Sequence, residues 1–163
     1  MKEYEIVDNF LLTEEYISIY KNTIENTYFP LYLKCGVAQH TLSKDGIYFT
    51  HNFFSDQNIK SPSFEILNPI LKKINPNKIL RIQFNLYPKT FFIKKHEYHK
   101  DLDISHKGMI YYLNTNNGKT ILYDGTKISS VKNRALFFDP SKIHRSTTCT
   151  NSLFRSNIIF NYL

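Results

Sequence analysis

In residues 78–163, short apolar segments alternate with turn residues, and this alternation limits the possible folds more than any other part of the sequence. Asn117-Gly118 is the strongest hairpin signal in the chain, and Asp124-Gly125 marks a second tight turn. Many short strands at this spacing are typical of a β-sandwich or barrel. The pattern predicts strands over residues 81–87, 91–93, 108–113, 120–123, 126–130, 135–138 and 157–162.

The preceding residues mix helix and strand. Residues 4–7 fit a short strand, and Thr13 is the expected N-cap of a helix with Glu14 and Glu15 in its first turn. Its expected apolar face is Ile17, Tyr20 and Ile24. A second helix is expected to begin near residues 61–62, to be interrupted by Pro69 and to end at residues 75–77. Its expected apolar face is Phe64, Leu67, Leu71 and Ile74.

These segments together predict an α+β, mainly β fold. We expect a double-stranded β-helix, or jelly roll, with supporting N-terminal helices. Residues 1–163 are expected to form one domain, with residues 1–77 as helical and strand support and residues 78–163 as the jelly-roll core. A length of 163 residues with 42% hydrophobic and 21% charged residues fits a single globular domain.

Charge and hydropathy bear on partners and compartment. The net charge of +7 comes mostly from scattered lysines, and the only tight pairs are Lys72-Lys73 and Lys94-Lys95, so nucleic-acid binding is only weakly supported. No apolar run is long enough to span a bilayer, and the first residues lack the apolar core of a signal peptide. We therefore expect no membrane partner and a cytoplasmic location, in a host cell if the protein is viral. Cys35 and Cys149 are expected to be free thiols.

A candidate metal site begins at His99-Lys100-Asp101. On an extended segment, residues i and i+2 point to the same side, so one ion can bind both His99 and Asp101. His144, after an expected strand, is the natural third ligand. Two imidazoles and one carboxylate on one face leave coordination positions open, as in non-haem Fe(II) oxygenases. By itself the motif is a weak signal, and a surface loop that happens to contain His and Asp is the more common explanation of it.

Arg155 is a second feature that favours a metal site over a surface loop. It follows His144 at the start of the last predicted strand, where a buried guanidinium can bind a carboxylate through two hydrogen bonds. A dicarboxylate cosubstrate that chelates iron at one end needs such an anchor at the other. The alternative is that Arg155 forms a surface salt bridge.

Residues 81–163 resemble the prolyl-4-hydroxylase-like branch of the 2-oxoglutarate/Fe(II) dioxygenases, and closely resemble its small phage-encoded members. The segments that carry the resemblance are Asn85-Leu86-Tyr87-Pro88, His99-Lys100-Asp101, Tyr111-Tyr112-Leu113-Asn114, Asn133-Arg134-Ala135-Leu136-Phe137-Phe138, His144 and Arg155. The N-terminal half is compatible with the same family but far less specific.

The resemblance implies a role for each matching residue. His99, Asp101 and His144 would be the iron ligands. Arg155 would bind the distal carboxylate of 2-oxoglutarate, and Tyr112 would donate its hydroxyl to the same carboxylate. Tyr87 would lie near the iron-chelating end of the cosubstrate, although a plain core role for Tyr87 is equally open. Collagen-type prolyl hydroxylases commonly have Lys where Arg155 stands, which leaves the substrate class open.

The implied activity is a 2-oxoglutarate-dependent dioxygenase, an oxidoreductase that hydroxylates a prolyl or other peptidyl residue and releases succinate and CO2. Fe(II), 2-oxoglutarate and O2 are the implied cofactors, with ascorbate as a possible support, and a peptide or protein is the implied partner. An oxidative nucleic-acid demethylase or hydroxylase, or a non-catalytic jelly-roll binding or virion protein, are the alternatives. His96 and His106 are expected to be loop or rim residues near the substrate entrance. Within residues 31–60, possible substrate-wall residues are Tyr48, Phe49 and Phe53.

Overall fold

Two antiparallel sheets form the body of the protein in the computed structural model, which describes residues 4–36 and 46–163. The larger sheet has the strand order β1-β9-β6-β11-β5-β3-β2, with β4 paired to β3, and the smaller sheet has the order β10-β7-β8. The strands are β1 (Tyr4–Val7), β2 (Tyr32–Cys35), β3 (Ile47–Ser55), β4 (Asn58–Ile59), β5 (Ile79–Pro88), β6 (Lys107–Tyr112), β7 (Lys119–Ile121), β8 (Lys127–Ser129), β9 (Arg134–Phe138), β10 (Arg145–Ser146) and β11 (Phe154–Tyr162). The predicted mainly β jelly roll is confirmed.

The first helix, α1 (Thr13–Thr23), starts one residue earlier than expected. Its N-cap is Leu12, whose backbone N–H donates to Oε2 of Glu15 at 3.0 Å, so the prediction of Thr13 as N-cap is wrong. Ile19 and Thr23 are buried, and Tyr20 and Ile24 pack against the apolar core, whereas Ile17 is 41% exposed. The predicted apolar face is therefore confirmed at Tyr20 and Ile24 and wrong at Ile17.

The second helical segment consists of a short 3₁₀ helix (Phe64–Leu67) followed directly by α2 (Asn68–Ile74). Pro69 lies in the first turn of α2, where its missing N–H costs no hydrogen bond, so it helps to start this helix and does not interrupt one. Asn75 ends α2 in a left-handed conformation with φ of 40°. The predicted end is confirmed, but the predicted start is a few residues too early.

The two faces of the larger sheet carry different kinds of side chain. One face packs against the helices and is apolar, and β11 contributes Ile158, Phe160 and Tyr162 to it. The opposite face points toward the smaller sheet, and there β11 presents Arg155 and Asn157. Because side chains alternate along a strand, a single strand supplies both the core and the polar interior of the jelly roll.

The Asn117-Gly118 turn does not close a hairpin, so that prediction is wrong. β6 pairs with β9 and β11 in the larger sheet, while β7 pairs with β8 and β10 in the smaller sheet, and the turn carries the chain between the sheets. A Cβ at Gly118 would lie 2.6 Å from Cδ of Arg155, so close packing is what requires glycine there. The Asp124-Gly125 turn is confirmed, since it joins β7 to β8 with Gly125 at φ of +84°.

Other strand predictions differ at particular elements. Residues 91–93 form an exposed loop and not a strand, whereas β2, β3, β4 and β10 were not predicted. Both cysteines are free thiols, with Cys149 buried. Within the two described ranges, no helix is both long enough and apolar enough to cross a membrane.

Candidate metal centre

His99, Asp101 and His144 converge at the open end of the jelly roll. Their potential ligand atoms all lie within 4.8 Å of one another. Oδ1 of Asp101 lies 3.7 Å from Nε2 of His99 and 3.7 Å from Nε2 of His144. Two imidazole nitrogens and one carboxylate oxygen thus face a common point, which is the donor set expected for a non-haem Fe(II) site.

Backbone hydrogen bonds fix this convergence. The N–H of His99 donates to the carbonyl of His144 at 2.9 Å, and the N–H of His144 donates back to the carbonyl of His99 at 2.9 Å. The N–H of Asp101 donates to the carbonyl of Pro140 at 3.1 Å. The two ligand-bearing segments are therefore held to each other directly, although neither lies in a long strand.

The tautomer of each histidine is set by a local carbonyl. Nδ1 of His99 donates to the carbonyl of Glu97 at 3.3 Å, and Nδ1 of His144 donates to the carbonyl of Lys142 at 3.0 Å. Each bond leaves Nε2 with a free lone pair directed at Asp101. Burial, followed by the neighbouring His144, lowers the pKa of His99, which favours the neutral ring that a metal requires.

Arg81 is an additional charged residue at this centre that the sequence did not single out. Its Nη2 lies 3.3 Å from Oδ1 of Asp101, whose side chain is only 3% exposed. The second oxygen, Oδ2 of Asp101, is buried and has no hydrogen-bond partner among the described residues. Asp101 therefore has oxygen lone pairs left for a cation.

Arg155 lies fully buried on the polar face of β11. Its Nε donates to Oγ of Ser130 at 2.9 Å, and its Nη2 donates to Oγ1 of Thr120 at 2.9 Å. Nη1 is buried without a partner in the described part of the chain, and both bonded partners are neutral hydroxyls. A buried guanidinium costs much free energy unless an anion compensates it, so this residue is suited to bind a carboxylate.

Tyr112 is placed beside Arg155 through a shared partner. The hydroxyls of Tyr112 and Thr120 are 2.8 Å apart, and Thr120 is also the acceptor for Arg155. Burial raises the pKa of Tyr112, while the nearby Arg155 opposes that shift. Tyr112 therefore remains a neutral phenol that can donate a hydrogen bond next to the guanidinium.

Tyr87 lies between the two ends of the site. Its ring stacks between Tyr48, with centroids 5.4 Å apart, and His96, with centroids 5.1 Å apart. The Arg155 guanidinium lies 5.4 Å from the Tyr87 ring centre. Burial raises the pKa of Tyr87, which also senses the charges of both Arg155 and Asp101. Arg81, which contacts Asp101, and Tyr87, which is paired with Arg155 across β5 and β11, lie on the same face of β5, so the candidate metal-binding and anion-binding residues face one interior.

A row of amides lines the floor between them. Nε2 of Gln83 donates to Oδ1 of Asn85 at 2.6 Å, and Nδ2 of Asn85 donates to Oδ1 of Asn157 at 3.4 Å. The sequence pattern did not single out Gln83, Asn85, Thr120 or Ser130 as candidate site residues. The signal was present, because a polar residue in every second position of an otherwise apolar strand indicates a polar interior face.

The expectations about the surroundings of the site are only partly confirmed. His96 and His106 lie in loops, as expected, but they are 2% and 6% exposed and are therefore buried, and Nδ1 of His96 is bonded to Oγ of Ser146. Phe53 is fully buried in the apolar core, where its ring packs 5.8 Å from that of Phe29. Phe49 projects from β3 on the face opposite to Tyr48, so of the three expected wall residues only Tyr48 reaches the site.

Comparisons with known proteins support the fold. No protein-family model matches the sequence, and no curated protein matches it. Among solved structures, the chain is similar to the viral collagen prolyl hydroxylase of Paramecium bursaria Chlorella virus-1 in its 2OG complex, with 16% identity, coverage of 98% of this chain and 95% of that one, and a TM-score of 0.66.

Two further structures match as well. A prolyl hydroxylase from Trichoplax adhaerens, solved with a hypoxia inducible factor peptide fragment, has a TM-score of 0.74 at 14% identity, covering 99% of this chain and 84% of that one. An oxidoreductase of the 2OG-Fe(II) oxygenase family from Burkholderia pseudomallei has a TM-score of 0.73 at 12% identity, covering 98% and 84%. The chain thus has the jelly-roll fold of the 2-oxoglutarate/Fe(II) oxygenases.

Proposed function

We propose that this protein is a 2-oxoglutarate- and Fe(II)-dependent dioxygenase. The observation that carries the proposal is the placement of a His-Asp-His cluster and a buried, incompletely bonded guanidinium on one polar interior. The two features match the two ends of a dicarboxylate that chelates a metal. Residues 1–163 would form one catalytic domain.

The donor groups fit the cofactors. The Nδ1 hydrogen bonds of His99 and His144 leave both Nε2 atoms available, and Asp101 has a buried oxygen without a partner among the described residues, so the three side chains would hold Fe(II). Arg155 and Tyr112 would hold the distal carboxylate of 2-oxoglutarate, with Thr120 and Ser130 fixing the guanidinium. Tyr87 would cover the cosubstrate between these ends.

With iron, 2-oxoglutarate and O2 bound, the chemistry supplied is hydroxylation of a substrate, with release of succinate and CO2. The chain's own contribution is to orient these groups and to limit access of water. Burial of Arg155, Tyr112 and Thr120 makes their hydrogen bonds to an anion stronger than they would be in water.

For the substrate we propose a prolyl or other peptidyl residue. Support comes from two of the similar structures, which are a collagen prolyl hydroxylase and a prolyl hydroxylase solved with a peptide fragment. Incubation with a panel of proline-containing peptides is expected to give products heavier by one oxygen atom, together with matching amounts of succinate. Peptides in which proline is replaced by alanine serve as the control.

The core proposal is tested by anaerobic titration of the protein with Fe(II) and 2-oxoglutarate. The wild type is expected to develop a weak visible charge-transfer band that His99→Ala abolishes. His51→Gln is the matched control, since His51 lies in the apolar core, and it should retain the band. A wild type with no band and no 2-oxoglutarate turnover would refute the assignment.

The two alternative functions make different predictions. A nucleic-acid hydroxylase, suggested by the net charge of +7, should bind single-stranded DNA or RNA with strong salt dependence. A non-catalytic binding or virion protein has no need of the complete set of His99, Asp101, His144 and Arg155. The placement of all four residues on one interior therefore favours the oxygenase.

A further inference from the structure

A short loop after β5 carries a cluster of fully solvated apolar side chains, here called the Phe91 tip. It consists of Phe91, Phe92 and Ile93, which are 98%, 82% and 42% exposed, together with the neighbouring Leu153, which is 80% exposed. Exposing two adjacent phenyl rings to this degree is unfavourable in water, because each could bury a large apolar area. Such a cluster generally marks an interaction surface.

The tip is held firmly in this exposed position. Oγ1 of Thr90 donates to the carbonyl of Phe92 at 2.7 Å, and the N–H of Thr90 donates to the carbonyl of Cys149 at 3.0 Å. The N–H of Lys94 donates to Oγ1 of Thr148 at 2.9 Å, and the N–H of Lys89 donates to the carbonyl of Leu153 at 3.0 Å. The rings therefore project from a braced base whose polar groups are already bonded.

The charged residues within the tip and its base are all basic, and the nearest acidic residue in the sequence is Glu97, two positions after Lys95. Lys89, Lys94 and Lys95 flank the apolar residues and are exposed. Residues 88–96 and 145–156, which form the tip and its base, contain no Asp or Glu. An apolar tip flanked by three lysines complements a surface that is anionic outside and apolar within.

We propose that the Phe91 tip docks the protein on an anionic lipid membrane, with Phe91, Phe92 and Leu153 entering the boundary between headgroups and acyl chains. Lys89, Lys94 and Lys95 then lie at the level of the lipid phosphates. The rings of Phe91 and Phe92 are 98% and 82% exposed, as insertion among lipid chains requires, which favours a membrane over a nucleic-acid strand or a peptide. The sequence predicts no membrane partner because it contains no segment long enough to span a bilayer. Docking at the membrane surface does not require such a segment.

The position of the tip relates docking to the candidate metal centre. The same loop runs from Tyr87, at the end of β5, to His99. Docking through the tip therefore holds the polypeptide next to the site at the lipid surface. This predicts a substrate that is itself at a membrane, but binding to vesicles does not depend on the oxygenase activity.

The absence of Trp from the sequence permits a direct test. Phe92→Trp places a single fluorophore in the tip, and Tyr28→Trp places one at a site that is 92% exposed elsewhere on the protein. With vesicles of phosphatidylcholine and phosphatidylglycerol, Trp at position 92 is expected to shift to shorter emission wavelength and to be protected from acrylamide. Trp at position 28 should do neither.

Vesicle sedimentation separates the apolar and the electrostatic contributions. Phe91→Ala/Phe92→Ala is expected to weaken partitioning at least about tenfold. Lys94→Gln/Lys95→Gln is expected to weaken it about 25-fold at low salt, whereas the matched pair Lys21→Gln/Lys72→Gln on α1 and α2 should change little. Failure of the wild type to bind anionic vesicles at low salt would overturn the proposal, as would equal binding to vesicles of pure phosphatidylcholine. A fluorescence shift at position 92 produced by single-stranded DNA or by self-association, without vesicles, would also overturn it.

Discussion

At the scale of single residues, the most informative side chain is Arg155. Two of its nitrogens donate to Ser130 and Thr120, and these are neutral hydroxyls that cannot balance its charge. Arg81 differs, because it already lies beside a carboxylate, Asp101. Of the two arginines on this interior, Arg155 is therefore the one prepared to receive an external anion.

Replacement of Arg155 by lysine tests that assignment. Lysine keeps the charge but loses the planar fork, so one charge-assisted hydrogen bond of about 1.5–3 kcal/mol should be lost. We expect 2-oxoglutarate to bind about 10- to 150-fold more weakly to the Mn(II)-loaded variant in calorimetric titration. Arg134→Lys, which alters a surface ion pair with Asp8, is the matched control. Unchanged affinity in Arg155→Lys would place the anion site elsewhere.

The sequence singles out candidate site residues that have distinctive chemistry and misses those that do not. His99, Asp101, His144 and Arg155 have residue types and spacings that point to metal and carboxylate binding, whereas Tyr112 is implied only by the family resemblance. Thr120 and Ser130 resemble ordinary strand residues, and their role depends on which sheet faces which. A sequence contains that information only through long-range pairing, which local patterns do not determine.

At the scale of elements, local turn signals were correct only when the flanking strands also pair with each other. Asp124-Gly125 joins two paired strands, β7 and β8. Asn117-Gly118 joins strands in different sheets, and its glycine is explained by the approach of Arg155. Aromatic β propensity similarly predicts a strand at residues 91–93, although no strand among residues 4–36 and 46–163 pairs with them.

The side chain of Asn133, just before β9, is bonded both to β6 and to the segment before α1, and its loss should lower the free energy of unfolding. Asn133 has φ of 58°; its Oδ1 accepts from the N–H of Leu11 and the hydroxyl of Tyr111, and its Nδ2 donates to the carbonyl of Leu11. Glycine tolerates this φ but loses all these bonds. We expect Asn133→Gly to lower the free energy of unfolding by about 2–4 kcal/mol, measured by urea denaturation.

Asn75→Gly is the matched control for backbone conformation. Asn75 also has a positive φ, of 40°, at the end of α2, and its side chain bonds to no other described residue. This variant should change the free energy of unfolding by less than about 1 kcal/mol. Equal effects of the two substitutions would mean that the Asn133 hydrogen bonds add nothing beyond conformation.

At the scale of the whole molecule, His51 makes the stability of the fold depend on pH. His51 belongs to the apolar side, with ring centroids 4.3 Å from Phe29 and 4.9 Å from Phe53. Burial lowers the pKa of His51, although the bond from Nδ1 to the carbonyl of Pro30 opposes the shift. A proton therefore binds the unfolded chain more readily than the folded one.

The sign of the resulting pH dependence follows. As pH falls below about 6.5, the unfolded state takes up a proton that folded His51 resists, so the free energy of unfolding decreases. One such proton contributes at most about 1.4 kcal/mol per pH unit. We expect His51→Gln to show a shallower loss of stability between about pH 7.5 and about pH 5.5, measured by urea denaturation in EDTA. Parallel curves for the two proteins would contradict this role of His51.

The position of β11 in the larger sheet has a consequence for biosynthesis. β11 lies between β5 and β6 and pairs with both, although it follows both in the chain. A ribosome must therefore translate through Tyr162 before the centre of the sheet can form. Until then, β5 and β6 each lack a partner strand along one edge, and they are open to pairing with other nascent chains. The centre of the sheet is thus expected to form only after residues through Tyr162 have left the ribosome, and the yield should depend on chaperones that shield these edges.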